Sequence, residues 1–228
     1  MNYALQVPPD GGMLYTETDM AHLFPEPFNT ITSFFFLAIA IYWTLKVWGR
    51  GRQYTFLSIA TALLYIGGIG GTIYHGLRRW NIFIMMDWLP IMLLCVMAGI
   101  YFLARLTRWY YGALLVICYA VFQVFARSYL RGNGDIQLFI NINYAIMAAI
   151  VLVPVTAYLI RTHFIHGRWV GFALIAFIAA LTFRVADGWG WLHSGTHFLW
   201  HSFGAVAAFC MFQYLYLINT PLKNEGNM

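Results

Sequence analysis

Near the end of the chain, His197-Phe198-Leu199-Trp200-His201 sets two imidazoles four positions apart inside the last apolar run. On an α-helix, residues i and i+4 stand one above the other on the same face. Two neutral imidazoles so placed can hold one Zn²⁺. Ionisable side chains are costly inside a membrane span, so function is their default explanation. The plain alternative is a pair of helix-end histidines wetted by interfacial water. A catalytic zinc needs three protein ligands and an open fourth position, and His75 supplies the third imidazole. Zinc brings the pKa of water in that position down to about 7. Asp87 would orient or deprotonate such a water, or orient a histidine. Its alternative is an ion pair with Arg78 or Arg79.

These residues must be positioned by membrane helices. The chain is 61% hydrophobic and 9% charged, with a mean hydropathy of +0.68. A soluble domain carries about 25% charged residues. Apolar runs cover 31–48, 56–74, 82–102, 110–125, 138–159, 170–183 and 198–217. A span takes about 20 residues, so the fourth and sixth helices must extend into flanking polar residues. Trp48, Trp80, Trp109, Tyr110, Trp169 and Trp191 sit at the ends of the runs, as interfacial belts require. The expected fold is all-α, an integral membrane bundle of seven transmembrane helices forming a single domain. Residues 1–28 form an acidic segment outside the bilayer, 29–218 the bundle and 219–228 a polar tail. Pro90 and Pro154 fall inside the third and fifth runs, where kinks are expected. The start of the chain lacks the basic and apolar regions of a cleaved signal.

Lys46, Arg50, Arg52, Arg105, Arg108, Arg161, Arg168 and Lys223 collect on one side of such a bundle. Arg78, Arg79, Arg127, Arg131 and Arg184 collect on the other. The richer side is expected to be cytoplasmic, which puts the N-terminus outside and the C-terminus in the cytoplasm. Because helices alternate in direction, His75, Asp87, His197 and His201 reach one face whichever way the bundle is inserted. No basic cluster is dense enough for nucleic acid. Cys95, Cys118 and Cys210 are too dispersed for a disulfide framework or a thiolate metal site.

Other polar residues have simpler readings. His163, His166 and His22 are expected to be solvated. His193 is also expected in solvent, with a substitute ligand role as its alternative. Arg184 and Asp187, three apart, read as an internal helix pair. Asn141, Asn143 and Gln123 read as interhelical hydrogen-bonding groups. Glu17, Asp19 and Glu26 are an acidic cluster ahead of the first span. Hard cations such as Ca²⁺ prefer such oxygens, but a solvated acidic segment is the default.

Taken together, these stretches resemble the alkaline ceramidases, seven-span zinc amidases in a superfamily with the adiponectin-receptor-like proteins. The resemblance covers nearly the whole length. It lies in Tyr15-Thr16-Glu17-Thr18-Asp19 with Glu26-Pro27-Phe28-Asn29-Thr30, in Tyr74-His75, in Asp87, and in Gly195-Thr196-His197 through His201. The resemblance implies zinc on His75, His197 and His201, with Asp87 as proton acceptor. It also implies Ca²⁺ near Glu17, Asp19 and Glu26, with the Tyr15 carbonyl as a further ligand. The family has a serine four residues before the first histidine, suited to donating to an oxyanion. This chain has Gly71 there, and Thr72, still within one turn of His75, is the expected substitute. Leu14 stands where the family can place an acidic ligand.

The function expected from this resemblance is zinc-dependent hydrolysis of a ceramide-like lipid amide within a bacterial inner membrane or an organelle membrane. Membrane lipids and the lipid amide are then the partners. The rival is a non-catalytic seven-helix receptor or structural metal protein, which Gly71 favours. A proton-relay transporter is a third reading, but such folds often show repeated halves, and no repeat is evident here.

Overall fold

All regular structure among the described residues of the computed structural model, 7–132 and 136–221, is helical. The helices are α1 (Pro27–Val47), α2 (Thr55–Leu77), α3 (Asn81–Leu106), α4 (Tyr110–Gly132), α5 (Ile136–Arg161), α6 (Arg168–Val185) and α7 (His197–Asn219). A short 3-10 turn, Ala186–Trp189, follows α6. Lys223 and the side chains of Arg127 and Arg131 lie outside the described residues.

Six stretches are long and apolar enough to cross a membrane: α1, α2, α3, Leu138–Arg161 of α5, Arg168–Trp189 and α7. In α4 the apolar part is the shorter Tyr110–Ala126. The fourth and sixth helices do outrun their apolar stretches, α4 to Gly132 and α6 from Arg168 to Val185. Only 17–39% of the residues in the six apolar windows are buried. Large apolar side chains such as Leu45, Ile117, Val153 and Ile175 point outward instead. That distribution suits lipid as the solvent and makes this a multi-pass membrane protein. α3 and α5 continue through Pro90 and Pro154.

The chain divides into two compact units, Met1–Pro90 with His166–Met228, and Ile91–Ile165. In the second unit Tyr119, Met147 and Ile150 form a core with Met92, Cys95 and Leu115 around them. The Gln123 amide donates to Asn143 Oδ1 at 2.7 Å, and the Tyr119 hydroxyl donates to the same oxygen at 2.9 Å. Gln123 and Asn143 thus join α4 to α5, as their polarity within spans predicts.

In the first unit α1 packs on α2 and α7, and α7 packs on α6. Trp43 of α1 is fully buried, ringed by Phe209, Phe212 and Tyr216 of α7. The α1–α2 contact is closer because α2 carries Gly67-Gly68-Ile69-Gly70-Gly71. Small residues let helix backbones approach in lipid, where packing replaces the hydrophobic effect. A Cβ on Gly68 would meet Leu37 at 2.8 Å, so this side of α2 rests on α1. A Cβ on Gly70 would meet Met86 Cβ at 2.3 Å and its carbonyl carbon at 2.6 Å, so the other side rests on α3.

Gly70→Ala must therefore move backbone, at a cost of about 1–3 kcal/mol. Gly171 on α6 has nothing within 4 Å of its would-be Cβ, and Gly171→Ala should gain about 0.5–1 kcal/mol. Thermal unfolding in detergent should show opposite shifts for the two variants. Equal shifts would contradict the close α2–α3 contact.

Candidate metal centre

His75 lies in the last turn of α2, and His197 opens α7 with His201 one turn on. All three are buried, and each offers a ligand atom within 4.8 Å of the others. Ring centroids are 4.8 Å apart for His75–His201, 4.9 Å for His197–His201 and 5.6 Å for His75–His197. Among the described residues no other His, Cys, Asp or Glu set of three gathers in this way. The Nε2 atoms of His75 and His201 are buried with no hydrogen-bond partner in the protein. Buried polar nitrogens are rarely left unpaired, and two aimed into one cluster fit a metal ion.

The orientation of His75 is set by Glu26. The residue caps α1, with Pro27 at the first helical position, where a missing N–H costs nothing. The His75 Nδ1–H donates to Glu26 Oε2 at 2.5 Å, which leaves Nε2 as the free lone pair. A carboxylate on the far nitrogen fixes the tautomer and raises the basicity of a metal-binding imidazole. Asn29 also donates to Oε2, while Thr18 and Arg78 donate to Oε1.

Arg78 completes this arrangement. It is 0% exposed and sits just past α2 in the left-handed region, at φ 50°. That conformation costs a side-chain-bearing residue about 1–2 kcal/mol. It turns the guanidinium back towards Glu26 and onto Asp10, whose Oδ2 accepts from Nε at 2.8 Å. Another guanidinium N–H donates to the Met13 carbonyl at 2.8 Å. Burial alone would raise the Glu26 carboxyl. The His75 hydrogen bond and the charge of Arg78 outweigh it, holding Glu26 below its ordinary range. Burial alone would lower Arg78, but its Asp10 hydrogen bonds and the charge of Glu26 raise it above its ordinary value.

A second tether comes from Asp187 in the 3-10 turn. Oδ1 accepts from the backbone N–H groups of Thr196 and His197, each at 2.8 Å, at the start of α7. Oδ2 accepts from Thr16 N at 2.9 Å. Gly195 is required here, since its φ is +70° and a Cβ would meet Asp187 Oδ1 at 2.4 Å. Between the two tethers Tyr15 lies over the histidines, its ring stacked on His197 at 3.9 Å. Burial pushes the Tyr15 phenol well above its ordinary value, so it stays protonated.

Asp87 is not the partner of Arg78. Among the described residues no cation is within ion-pair distance of it, since Arg78 pairs with Asp10 and Glu26. It lies beside Gly71, one turn before His75, with Oδ1 at 2.5 Å from where a Gly71 Cβ would stand. The Thr72 hydroxyl donates to the Gly68 carbonyl of its own helix at 2.7 Å. Glu17, Asp19 and Glu26 each serve separate donors. Glu17 accepts from the Phe28 and Asn29 amides in the first turn of α1, the position where a negative charge suits the helix dipole. Burial outweighs those two amide bonds and leaves the Glu17 carboxyl above its ordinary value. Asp19 accepts from Ala21 N and pairs with His22. The Tyr15 carbonyl accepts from Thr18 N. Asp187, read from the sequence as one half of a helix pair, accepts from the backbone amides of Thr16, Thr196 and His197. His22, His163 and His193 are exposed, as expected, and His166 is half-buried.

Sequence reasoning missed Asp10, Arg78 and Asp187 as organisers of the site. Asp10 meets Arg78 across 68 positions, and Asp187 acts through backbone amides that carry no residue-type signal.

Glu26→Gln should lower metal affinity about 10- to 100-fold, the usual cost of losing a ligand's outer carboxylate. Competition titration with a chromophoric chelator would measure it, and unchanged affinity would remove Glu26 from the centre. Asp187→Ala removes the cap of α7 and the hold on Thr16, and should cost about 1 kcal/mol. Limited proteolysis should then cut the segment before α1 faster than in the wild type; an unchanged rate would show that Asp187 does not hold it. In comparisons with known proteins, no protein-family model, no curated protein and no solved structure matches the chain.

Proposed function

We propose that this protein is a zinc-dependent amidase of the membrane, resembling the alkaline ceramidases, that cleaves a ceramide-like lipid amide to a fatty acid and a long-chain amine. One observation carries the reading: three buried imidazoles, two with an unpaired Nε2, converge near a carboxylate with no ion-pair partner among the described residues. Three neutral imidazoles are a catalytic zinc shell. When bound, zinc supplies Lewis acidity and draws the pKa of water towards 7.

The residues divide the remaining work. Glu26 holds the His75 Nδ1–H, which keeps Nε2 turned inward. Asp87 takes the proton of the attacking water and returns it to the amine nitrogen as the C–N bond breaks. A general base that also serves as acid must face the reacting atoms rather than a cation, and the pairing of Arg78 with Asp10 and Glu26 leaves Asp87 in that state. Tyr15 and the segment around it cover the His197 side and limit access of bulk water. The outward apolar faces of the helices suit a substrate arriving from the lipid phase. In this reading the histidine end of α2 and α7 lies opposite the cytoplasmic side.

Protein purified in detergent should contain stoichiometric zinc by elemental analysis and hydrolyse at least one member of a panel of N-acyl lipids. His197→Ala should lose both. Zinc without turnover on any lipid amide would replace the amidase by a non-catalytic metal protein. Absence of zinc, copper, iron and nickel from protein that retains its fold would overturn both.

A further inference from the structure

Most serine and threonine hydroxyls on the described helices follow one rule, and the buried Ser33 breaks it. Thr32, Thr44, Ser58, Thr61, Thr72 and Ser202 each donate to the carbonyl four residues earlier. A serine or threonine in a membrane helix has no water to turn to, so this back-bond is the ordinary outcome. Ser33 of α1 is 1% exposed, yet its Oγ has no partner in the protein. Leaving a buried hydroxyl unpaired costs about as much as losing a hydrogen bond, and such exceptions call for an explanation.

The place of Ser33 supplies one. α1 and α2 run antiparallel in a fixed register: Glu26 meets His75, Ser33 meets Gly71 and Leu37 meets Gly68. Ser33 is therefore one turn further into the helices than the imidazole that Glu26 holds. A Cβ on Gly71 would lie 3.2 Å from Ser33 Oγ and 2.5 Å from Asp87 Oδ1. The hydroxyl and the carboxylate thus open on one point from opposite helices, in space that only glycine at position 71 leaves free. The hydroxyl Thr72 offers on the same stretch of α2 is closed off by its bond to Gly68.

We propose that Ser33 is a catalytic residue of the amidase: its hydroxyl, presented from α1, donates a hydrogen bond to the amide carbonyl oxygen as that oxygen gains negative charge. The proposal rests on the amidase reading above. A donor aimed at developing charge in a site closed to bulk water accounts for about 100- to 1000-fold in turnover. Its desolvation in the resting protein is the counterpart, since a group held for the transition state lacks a ground-state partner.

Ser33→Ala should lower turnover on the lipid amide about 100- to 1000-fold. Zinc content and the melting temperature should stay at wild-type level or, for the melting temperature, rise. Ser33→Cys, which keeps a similar shape but is a weak donor, should fall similarly. A non-hydrolysable phosphonamidate analogue of the lipid, with charged oxygens at the tetrahedral centre, should bind Ser33→Ala at least about tenfold more weakly than wild type by calorimetry in detergent. Wild-type turnover and analogue affinity in Ser33→Ala would overturn the role of Ser33 while the amidase reading stands. So would loss in Thr72→Val with none in Ser33→Ala, or zinc loss with early melting in both Ser33 variants. A wild-type protein that neither hydrolyses lipid amides nor binds the analogue would overturn both.

Discussion

The buried guanidinium of Arg78 is the constraint on which the candidate site depends. It joins three parts of the chain at one point: the segment before α1 through Asp10 and Met13, the cap of α1 through Glu26, and its own position at the end of α2. Without it, two carboxylates would be buried with no cation, which proteins avoid. With it, the network still holds one more carboxylate than cation, and Asp87 nearby adds another. A divalent cation held by the imidazoles would meet that excess. The metal reading therefore has an electrostatic basis besides the donor atoms.

Glycine packing sets the geometry at the next level. Gly68 admits α1 and Gly70 admits α3 to within backbone contact of α2. Gly71 admits both, with Ser33 on one side and Asp87 on the other. In the sequence, glycine four residues before His75 reads as a missing donor and favours a non-catalytic protein. In space it is the gap through which two polar groups from neighbouring helices face each other. Any side chain there would push Asp87 aside, so glycine is what lets the carboxylate stand one turn from the histidine.

How much was legible follows from the range over which each signal acts. His197 and His201 could be placed together because i and i+4 share a helix face, and His75 because alternating helices return to the same side. Helix existence followed from apolar runs, although α4 is less apolar at its end than the others. The acidic segment could be read by composition alone only as a generic oxygen cluster. Glu17, Asp19 and Glu26 look like one oxygen cluster, but irregular backbone directs each to its own donors. Asp10 and Asp187 could not be ranked from the sequence, since ion pairing across the fold and acceptance from backbone N–H groups leave no spacing pattern.

The two hydroxyls near Gly71 show why proximity in sequence is a poor guide inside a membrane. Thr72 is adjacent along the chain, but an α-helix offers its own carbonyl one turn back, and a β-branched hydroxyl readily takes it. Once taken, that proton is unavailable to anything else unless the side chain turns and leaves the bond. Ser33 is remote in sequence and lies on another helix, and its proton is not held by the Asn29 carbonyl one turn back. A donor for chemistry must be kept from its own backbone as well as from water. The helix facing the site can meet that requirement when the helix carrying the histidine does not.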